Sequence, residues 1–337
     1  MGKTALFVSE ESSGTVRCLL CHRHCAIPSG HFGACGVRGN KNGLSLIPFY
    51  GHITALAADP VEKKPLYHFR PGTKILSVGF VGCNLRCPFC QNWHISQSAN
   101  APGRQMLPAD IVSAALSEHI EAIAYTYSEP LVHAEFLLDC MALARQHGIA
   151  NVLVTNGCAN AAAAEEILSL ADAANIDLKC FSAETYSQVL GGNIETVLAF
   201  IRLACEKGVH VELTTLVVPG LNDSSEELDL CADFIASLKG GNVPWHLSAY
   251  HPDYRWNAPP TDAAFLKRMK ERAQKKLAFV YAGNIPGEEN GTACPRCGDI
   301  LVRRMGYKTK TSGLASPAPG EKFFRCAGCG ERTSVML

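Results

Sequence analysis

The sequence carries no surplus charge of either sign: lysine plus arginine and aspartate plus glutamate stand at 31 each, for a formal net charge of zero. A chain without a basic field is not drawn to nucleic acid by charge, and charge names no other partner. It also lacks an uninterrupted apolar run near the ~20 residues that cross a bilayer. Its start, MGKTALFVSEE, lacks the apolar core of a secretion signal. Cysteine, by contrast, is plentiful, with sixteen among 337 residues. In a small secreted domain that count would mean disulfides, but here the chain is long enough for a sizeable core and most cysteines fall in metal-like spacings. The expectation is a cytoplasmic, reducing setting, no membrane partner, and metal chemistry favoured by low oxygen.

Three cysteine blocks organise the chain. Cys18, Cys21, Cys25 and Cys35 lie in a glycine-rich, basic segment, and Cys83, Cys87 and Cys90 sit in one short loop with no fourth cysteine nearby. Cys294, Cys297, Cys326 and Cys329 form two Cys-x2-Cys-Gly knuckles. Tetrahedral zinc and iron–sulfur clusters normally take four protein ligands. Three thiolates spaced Cys-x3-Cys-x2-Cys therefore suggest a cubane cluster with one iron left open, which is a catalytic device. The paired knuckles suggest a closed, structural zinc ribbon, with a rubredoxin-like iron as the alternative. The first block fits zinc or a second cluster, with His22 and His24 as substitute ligands. Cys140, Cys158, Cys180, Cys205 and Cys231 sit within helical or strand patterns and read as ordinary buried thiols.

Between the second and third blocks, short apolar runs alternate with amphipathic stretches. The runs at 74–82, 122–127, 150–156, 174–179, 210–218 and 245–250 read as strands, and 109–119, 130–147, 161–173, 194–207, 225–238 and 263–276 as helices. Such alternation predicts parallel strands joined by right-handed crossovers, in an α/β fold of the partial (β/α)6 barrel type. A further run at 277–282 is expected to cover an edge. The expected domains are a Cys-rich metal-binding segment (1–71), the partial barrel (72–285) and a zinc-ribbon-like module (286–337). The central cysteines follow the first strand, at the end where such barrels place their sites. Glu129, Asn156, Asp177, Lys179 and His246 become candidates because they close other strands.

Cys83-x3-Cys87-x2-Cys90, with aromatic Phe89 before the last cysteine, resembles the signature of the radical S-adenosylmethionine (radical SAM) superfamily. Within it the chain is similar to the activating enzymes of glycyl-radical enzymes such as pyruvate formate-lyase. Residues 59–69 (DPVEKKPLYHF), 82–96 (GCNLRCPFCQNWHIS) and 125–130 (YTYSEP) resemble the AmmeMemoRadiSam-system subgroup. The resemblance implies a [4Fe–4S] cluster on the three cysteines and S-adenosylmethionine on the open iron. One electron would cleave the cofactor to a 5′-deoxyadenosyl radical that takes hydrogen from a substrate. It also implies Phe89 against the adenine, Glu129 on the methionyl amino group, Lys179 of Asp177-Leu-Lys179 on the carboxylate, and Asn156 and His246 near the cofactor. No further side chain is assigned a catalytic role.

Two departures stand out. Tyr127-Ser128 replaces the paired glycines that normally precede the glutamate, and Val154 stands where an activase has aspartate, which puts a cation site there in doubt. The likeness implies a protein as the candidate substrate and a ferredoxin or flavodoxin as low-potential electron donor. The alternative is a metal-stabilised nucleic-acid-binding or scaffold protein with a non-catalytic cluster, for which Arg303, Arg304, Lys308 and Lys310 offer a basic loop.

Overall fold

The structure, a computed structural model, describes residues 3–10, 14–98, 100–238 and 242–337. Its centre is an eight-stranded sheet whose strands lie side by side in chain order. They are β1 (Ala55–Pro60), β2 (Lys74–Gly79), β3 (Ala122–Thr126), β4 (Ala150–Thr155), β5 (Ala173–Asp177), β6 (His210–Val217), β7 (Trp245–Ala249) and β8 (Val280–Gly283). β1 runs antiparallel to β2, and every later pairing is parallel. The parallel strands are covered on both faces, so they read as continuous apolar runs; β3 is buried along its whole length.

The covering helices are α1 (Pro108–Ser117), α2 (Ala134–Gln146), α3 (Ala161–Leu168), α4 (Ile194–Glu206), α5 (Ser225–Ala236) and α6 (Ala263–Ala273). α4 shows how the sequence writes them. The Asn193 side chain accepts from the Thr196 N–H at its start, and Ile194, Val197, Leu198, Ile201, Ala204 and Cys205 recur at helical spacing and are all buried.

All six expected β/α units are present, from β2–α1 to β7–α6, and two further strands extend the sheet. The run at 277–282 does more than cover an edge: Val280–Gly283 pairs parallel with β7 as a strand of the main sheet. β1 is a second addition, read from the sequence as neither strand nor barrel. β1 and β8 are the two edges, so the barrel is open.

A strap at 61–70 crosses that opening. The Lys64 Nζ donates to Asp59 of β1 at 2.8 Å, and Asn175 of β5 donates to the Pro65 carbonyl at 2.7 Å. The Tyr67 and His68 N–H groups donate to Glu212 of β6 at 3.0 and 2.7 Å, and His68 Nε2 meets the Tyr281 hydroxyl of β8 at 2.6 Å. These bonds satisfy the strap's polar groups where no sheet ladder can.

Behind the strap lie two three-stranded sheets, β9 (Glu289–Ala293), β10 (Ile300–Met305) and β11 (Lys308–Lys310), then β12 (Leu314–Ala315), β13 (Phe323–Cys326) and β14 (Arg332–Met336). The Met336 N–H donates to the His68 carbonyl at 2.8 Å, and the Thr309 hydroxyl donates to Glu62 at 2.7 Å. Arg304, grouped from sequence with a basic surface loop, is 1% exposed; it donates to Thr292 and to the Tyr67 carbonyl and presents no face to a phosphate. The N-terminal segment is fixed to α2 by a buried Arg38–Glu135 pair at 2.9 Å, with both side chains at most 1% exposed. No helix among the described residues is long and apolar enough to cross a membrane.

Candidate active site

A cavity of about 410 Å³ opens at the carboxyl ends of the parallel strands. The loop after β2 brings Cys83, Cys87, Phe89 and Cys90 to its wall; Glu129, Asn156, Asp177 and Lys179 reach it from the loops and ends of β3, β4 and β5. Residues far apart in the chain converge there because parallel strands all present the same end.

The thiols are held by donors to sulfur. The Leu85 N–H donates to Cys83 Sγ at 3.3 Å, the Asn156 side-chain amide to the same sulfur at 3.7 Å, and the Ser96 hydroxyl meets Cys90 Sγ at 3.2 Å. Sulfurs sharing one tetrahedral ion at ~2.3 Å from it stand about 3.8 Å apart. Among the described residues, the C-terminal four cysteines are the one set of three or more His, Cys, Asp or Glu whose ligand atoms all lie within 4.8 Å of one another. The central thiols are spread more widely, as the donors to a multi-iron core must be. Burial pushes the Cys87 thiol up to about 12, with nearby Lys179 opposing it.

Two charged groups face these thiols. Glu129 is 1% exposed and accepts from the Leu131 N–H at 3.0 Å, the Thr155 hydroxyl at 2.6 Å and the Asn156 N–H at 2.8 Å. Burial pushes its carboxyl up to about 7 against the pull of those three donors. The Lys179 Nζ lies 2.7 Å from Asp177; burial opposes its charge, but Asp177 and the nearby thiolates raise it above the ordinary lysine value.

The cavity therefore combines three spread thiols, a carboxylate and an ammonium. Residues 77–231 match the family model described as the Radical SAM superfamily. The chain belongs to the radical SAM superfamily.

This radical SAM protein is 39% identical over 341 residues to an uncharacterized protein of Methanocaldococcus jannaschii, covering 99% of the chain and 100% of that relative. It is 25% identical to the pyruvate formate-lyase 1-activating enzyme of Escherichia coli K12, over 54% of the chain and 77% of the relative. Among solved structures, a radical SAM methyltransferase from Sphaerobacter thermophilus superposes with a TM-score of 0.50 at 16% identity, covering 64% of this chain and 67% of that one. The last likeness concerns the fold alone. The protein is an enzyme of the radical SAM type, and that type works with a [4Fe–4S] cluster and S-adenosylmethionine.

Where its sequence departs from the family, the structure gives a physical account. Tyr127, in a position where the family has glycine, holds φ at +69°, a left-handed backbone that costs a side-chain-bearing residue roughly 1–2 kcal/mol. Its surroundings compensate. The Asn92 amide donates to the Tyr127 carbonyl at 2.7 Å, the Tyr127 hydroxyl donates to Asp59 at 2.5 Å, and the Lys64 ammonium lies 4.3 Å from the ring centre. Gly79 leaves room for the ring, since a Cβ there would come within 2.9 Å of Tyr127.

His246 requires a correction. It is 3% exposed, lies outside the cavity lining, and its Nε2 is 2.7 Å from Glu212. Ser248, two residues on in the same strand, is the one that lines the cavity. From sequence the charged run Glu62–Lys64 reads by default as a solvated turn, with reach toward substrate or cofactor as the alternative; in the structure Lys63 and Lys64 both line the cavity and both bond Asp59 at 2.8 Å. Burial opposes the Asp59 charge, yet these lysines, Tyr127 and Ser77 hold its carboxyl well below the usual range. The Asp59–Lys63 spacing of four was the available signal. Tyr307, from the turn between β10 and β11, lines the same cavity and had no signal of its own.

The flanking blocks differ from each other. At the C-terminus, Cys294 and Cys329 sulfurs stand 3.7 Å apart and those of Cys297 and Cys326 3.6 Å apart, close to the ~3.8 Å expected around one tetrahedral ion. At the N-terminus, Cys18, Cys21, Cys25 and Cys35 line a single cavity but without that close approach.

Proposed function

We propose that Cys83, Cys87 and Cys90 hold a [4Fe–4S] cluster and that the protein binds S-adenosylmethionine beside it for reductive cleavage and hydrogen abstraction from a substrate. One observation carries the reading: three spread thiols share a cavity with a carboxylate and an ammonium, the two charges that a methionyl amino and carboxylate group require. When bound, the cluster and S-adenosylmethionine supply one-electron cleavage of a carbon–sulfur bond and the 5′-deoxyadenosyl radical that abstracts hydrogen. The chain's residues do the holding. Glu129 receives the methionyl ammonium, and Lys179, steadied by Asp177, receives the carboxylate as a compact point charge. Phe89 offers an apolar face to the adenine, while Asn156 links Glu129 to Cys83 through its N–H and its side-chain amide. His246 contributes only through the Glu212 network beneath the cavity. Cys87 is buried and Cys83 and Cys90 are half-buried, so the protein covers most of the reacting centre.

The likeness to an activating enzyme makes a protein the candidate substrate and a low-potential ferredoxin or flavodoxin the electron donor. Zinc suits the C-terminal four sulfurs, as a structural ion in a separate ribbon at 286–337. The N-terminal segment ahead of Ala55 is a second metal module attached to the barrel, whose sheet begins with β1 and so extends the expected 72–285 barrel toward the N-terminus. None of the sixteen cysteines is paired in a disulfide, which suits a reducing cytoplasm.

Lys179→Ala tests the assignment. With the cluster absorbance unchanged, its Kd for S-adenosylmethionine should rise about 10–100-fold, the cost of a charge-assisted hydrogen bond. An unchanged Kd would remove Lys179 from the site.

Glu129 adds a pH dependence. Its carboxyl is neutral below about 7 and ionised above, and only the ionised form pairs with an ammonium. Affinity should therefore rise with pH through 7 and level off above it, and calorimetry in buffers of different ionisation enthalpy should register proton release on binding. In Glu129→Gln the pH dependence should flatten; a wild-type affinity constant from pH 6 to 8 contradicts the role.

A further inference from the structure

We propose that Cys18, Cys21, Cys25 and Cys35 hold a second iron–sulfur cluster rather than zinc, placed to pass electrons toward the Cys83 loop. The fold collects all four sulfurs around one cavity, from the hairpin of Val16–Cys18 and Ala26–Ile27 and the turns beside it. The chain's own C-terminus shows what a single-ion site looks like, with facing sulfurs 3.6 and 3.7 Å apart. The N-terminal four, like the central three, do not all lie within 4.8 Å of one another.

A second observation points to a charged occupant. Arg38, 1% exposed, lines this cavity and buries an Nε–H that has no hydrogen-bond partner. Its remaining guanidinium nitrogens serve Glu135 and the Leu6 carbonyl. Arg23 lines the cavity too. Four thiolates leave net negative charge on a cubane core and on a single zinc alike, so Arg38 and Arg23 mark an anionic metal–thiolate occupant and the sulfur spacing tells which.

The cavity shares a wall with the candidate active site. Asn84 lines it, while the preceding residue, Cys83, belongs to the central site; consecutive Cα atoms are about 3.8 Å apart. The Asn84 side-chain oxygen accepts from Asn156 at 2.9 Å, whose amide also reaches Cys83 Sγ. Gly82 lies so close to the Cys35 backbone that a Cβ would come within 2.6 Å of its carbonyl oxygen. An electron from a low-potential one-electron donor would enter at Cys18–Cys35 and leave toward Cys83; no proton or atom moves.

The site stands independently of the central one, and the experiment separates them. Anaerobically reconstituted wild-type protein should contain about eight irons and eight sulfides with about one zinc per chain. The Cys83→Ala/Cys87→Ala/Cys90→Ala variant should keep about four irons, with the electron paramagnetic resonance signal of one reduced cluster. Four irons with two zincs in the wild type assigns zinc to the N-terminus and overturns the proposal, as do four irons and one zinc in the wild type when the triple variant holds no iron. Should the central reading fail instead, wild type and triple variant would hold the same four irons. Where the triple variant does not fold, the Cys18→Ser/Cys21→Ser variant decides: iron content equal to wild type overturns the proposal. For the relay, Cys18→Ser/Cys21→Ser should slow S-adenosylmethionine cleavage at least tenfold with reduced ferredoxin or flavodoxin as donor, while cleavage with a small chemical reductant persists. Equal loss with both donors would refute a relay.

Discussion

Glu212→Ala should destabilise the protein by about 3–5 kcal/mol, the range for stripping one partner from a buried charged network. The carboxylate is fully buried and accepts four bonds: from the Tyr67 and His68 N–H groups at 3.0 and 2.7 Å, and from His210 and His246 Nε2 at 3.1 and 2.7 Å. Removing it leaves two strap amides and two imidazoles without their acceptor beneath the candidate site. Burial alone would raise this carboxyl, but the two histidines hold it well below the ordinary glutamate value. A depressed carboxyl contributes stability that is present above its unfolded-state value, near 4.5, and fades as pH falls through the folded one. The variant should therefore lose most at neutral pH, and its deficit should shrink in acid. Denaturant unfolding at pH 7 and pH 4 measures both. A loss under 1 kcal/mol at pH 7 would mean that the strap is held by other contacts.

Cys87→Ala should lower S-adenosylmethionine cleavage at least about a thousandfold, equivalent to about 4 kcal/mol in the barrier. The central site has three thiols with which to hold a cluster, and two cannot replace three. The loss should appear in iron content before it appears in rate: about four irons fewer per chain than wild type, with folding intact by circular dichroism. Because burial pushes this thiol up to about 12, iron must displace a proton, and cluster loading of the wild type should improve as pH rises from 7 to 9. Wild-type iron content and turnover in the variant would show that Cys87 is not a ligand.

What was legible in the sequence was local. The central triplet declares itself by spacing, and Glu129, Asn156, Asp177 and Lys179 close apolar runs, so recognising parallel strands was enough to gather them. His246 is the second residue of its run rather than the last, so it sits toward the amino end of β7 and bonds Glu212, while Ser248, nearer the carboxyl end, lines the cavity. β8 is a four-residue strand, too short to separate from an edge cover by periodicity alone. β1 ends in Asp59 and Pro60, residues depleted in strands, and is recognisable only through its pairing with β2. The strap and Tyr307 escaped notice, and Arg304 was placed on the surface, because their partners lie far away along the chain, as with the Arg304 bond to the Tyr67 carbonyl. Tyr127 is the sharper lesson. In the sequence the replacement of glycine by tyrosine shows only as a departure from the family motif, whereas the structure shows a left-handed backbone anchored through the side chain to Asp59.

The central claim is that this cavity reductively cleaves S-adenosylmethionine. The direct measurement is chromatographic quantification of 5′-deoxyadenosine and methionine after anaerobic incubation of reconstituted protein with S-adenosylmethionine and a strong one-electron reductant. The account predicts both products in equal amounts, neither without reductant, and neither from Cys87→Ala. Fully loaded wild-type protein that binds S-adenosylmethionine and forms no 5′-deoxyadenosine would contradict it.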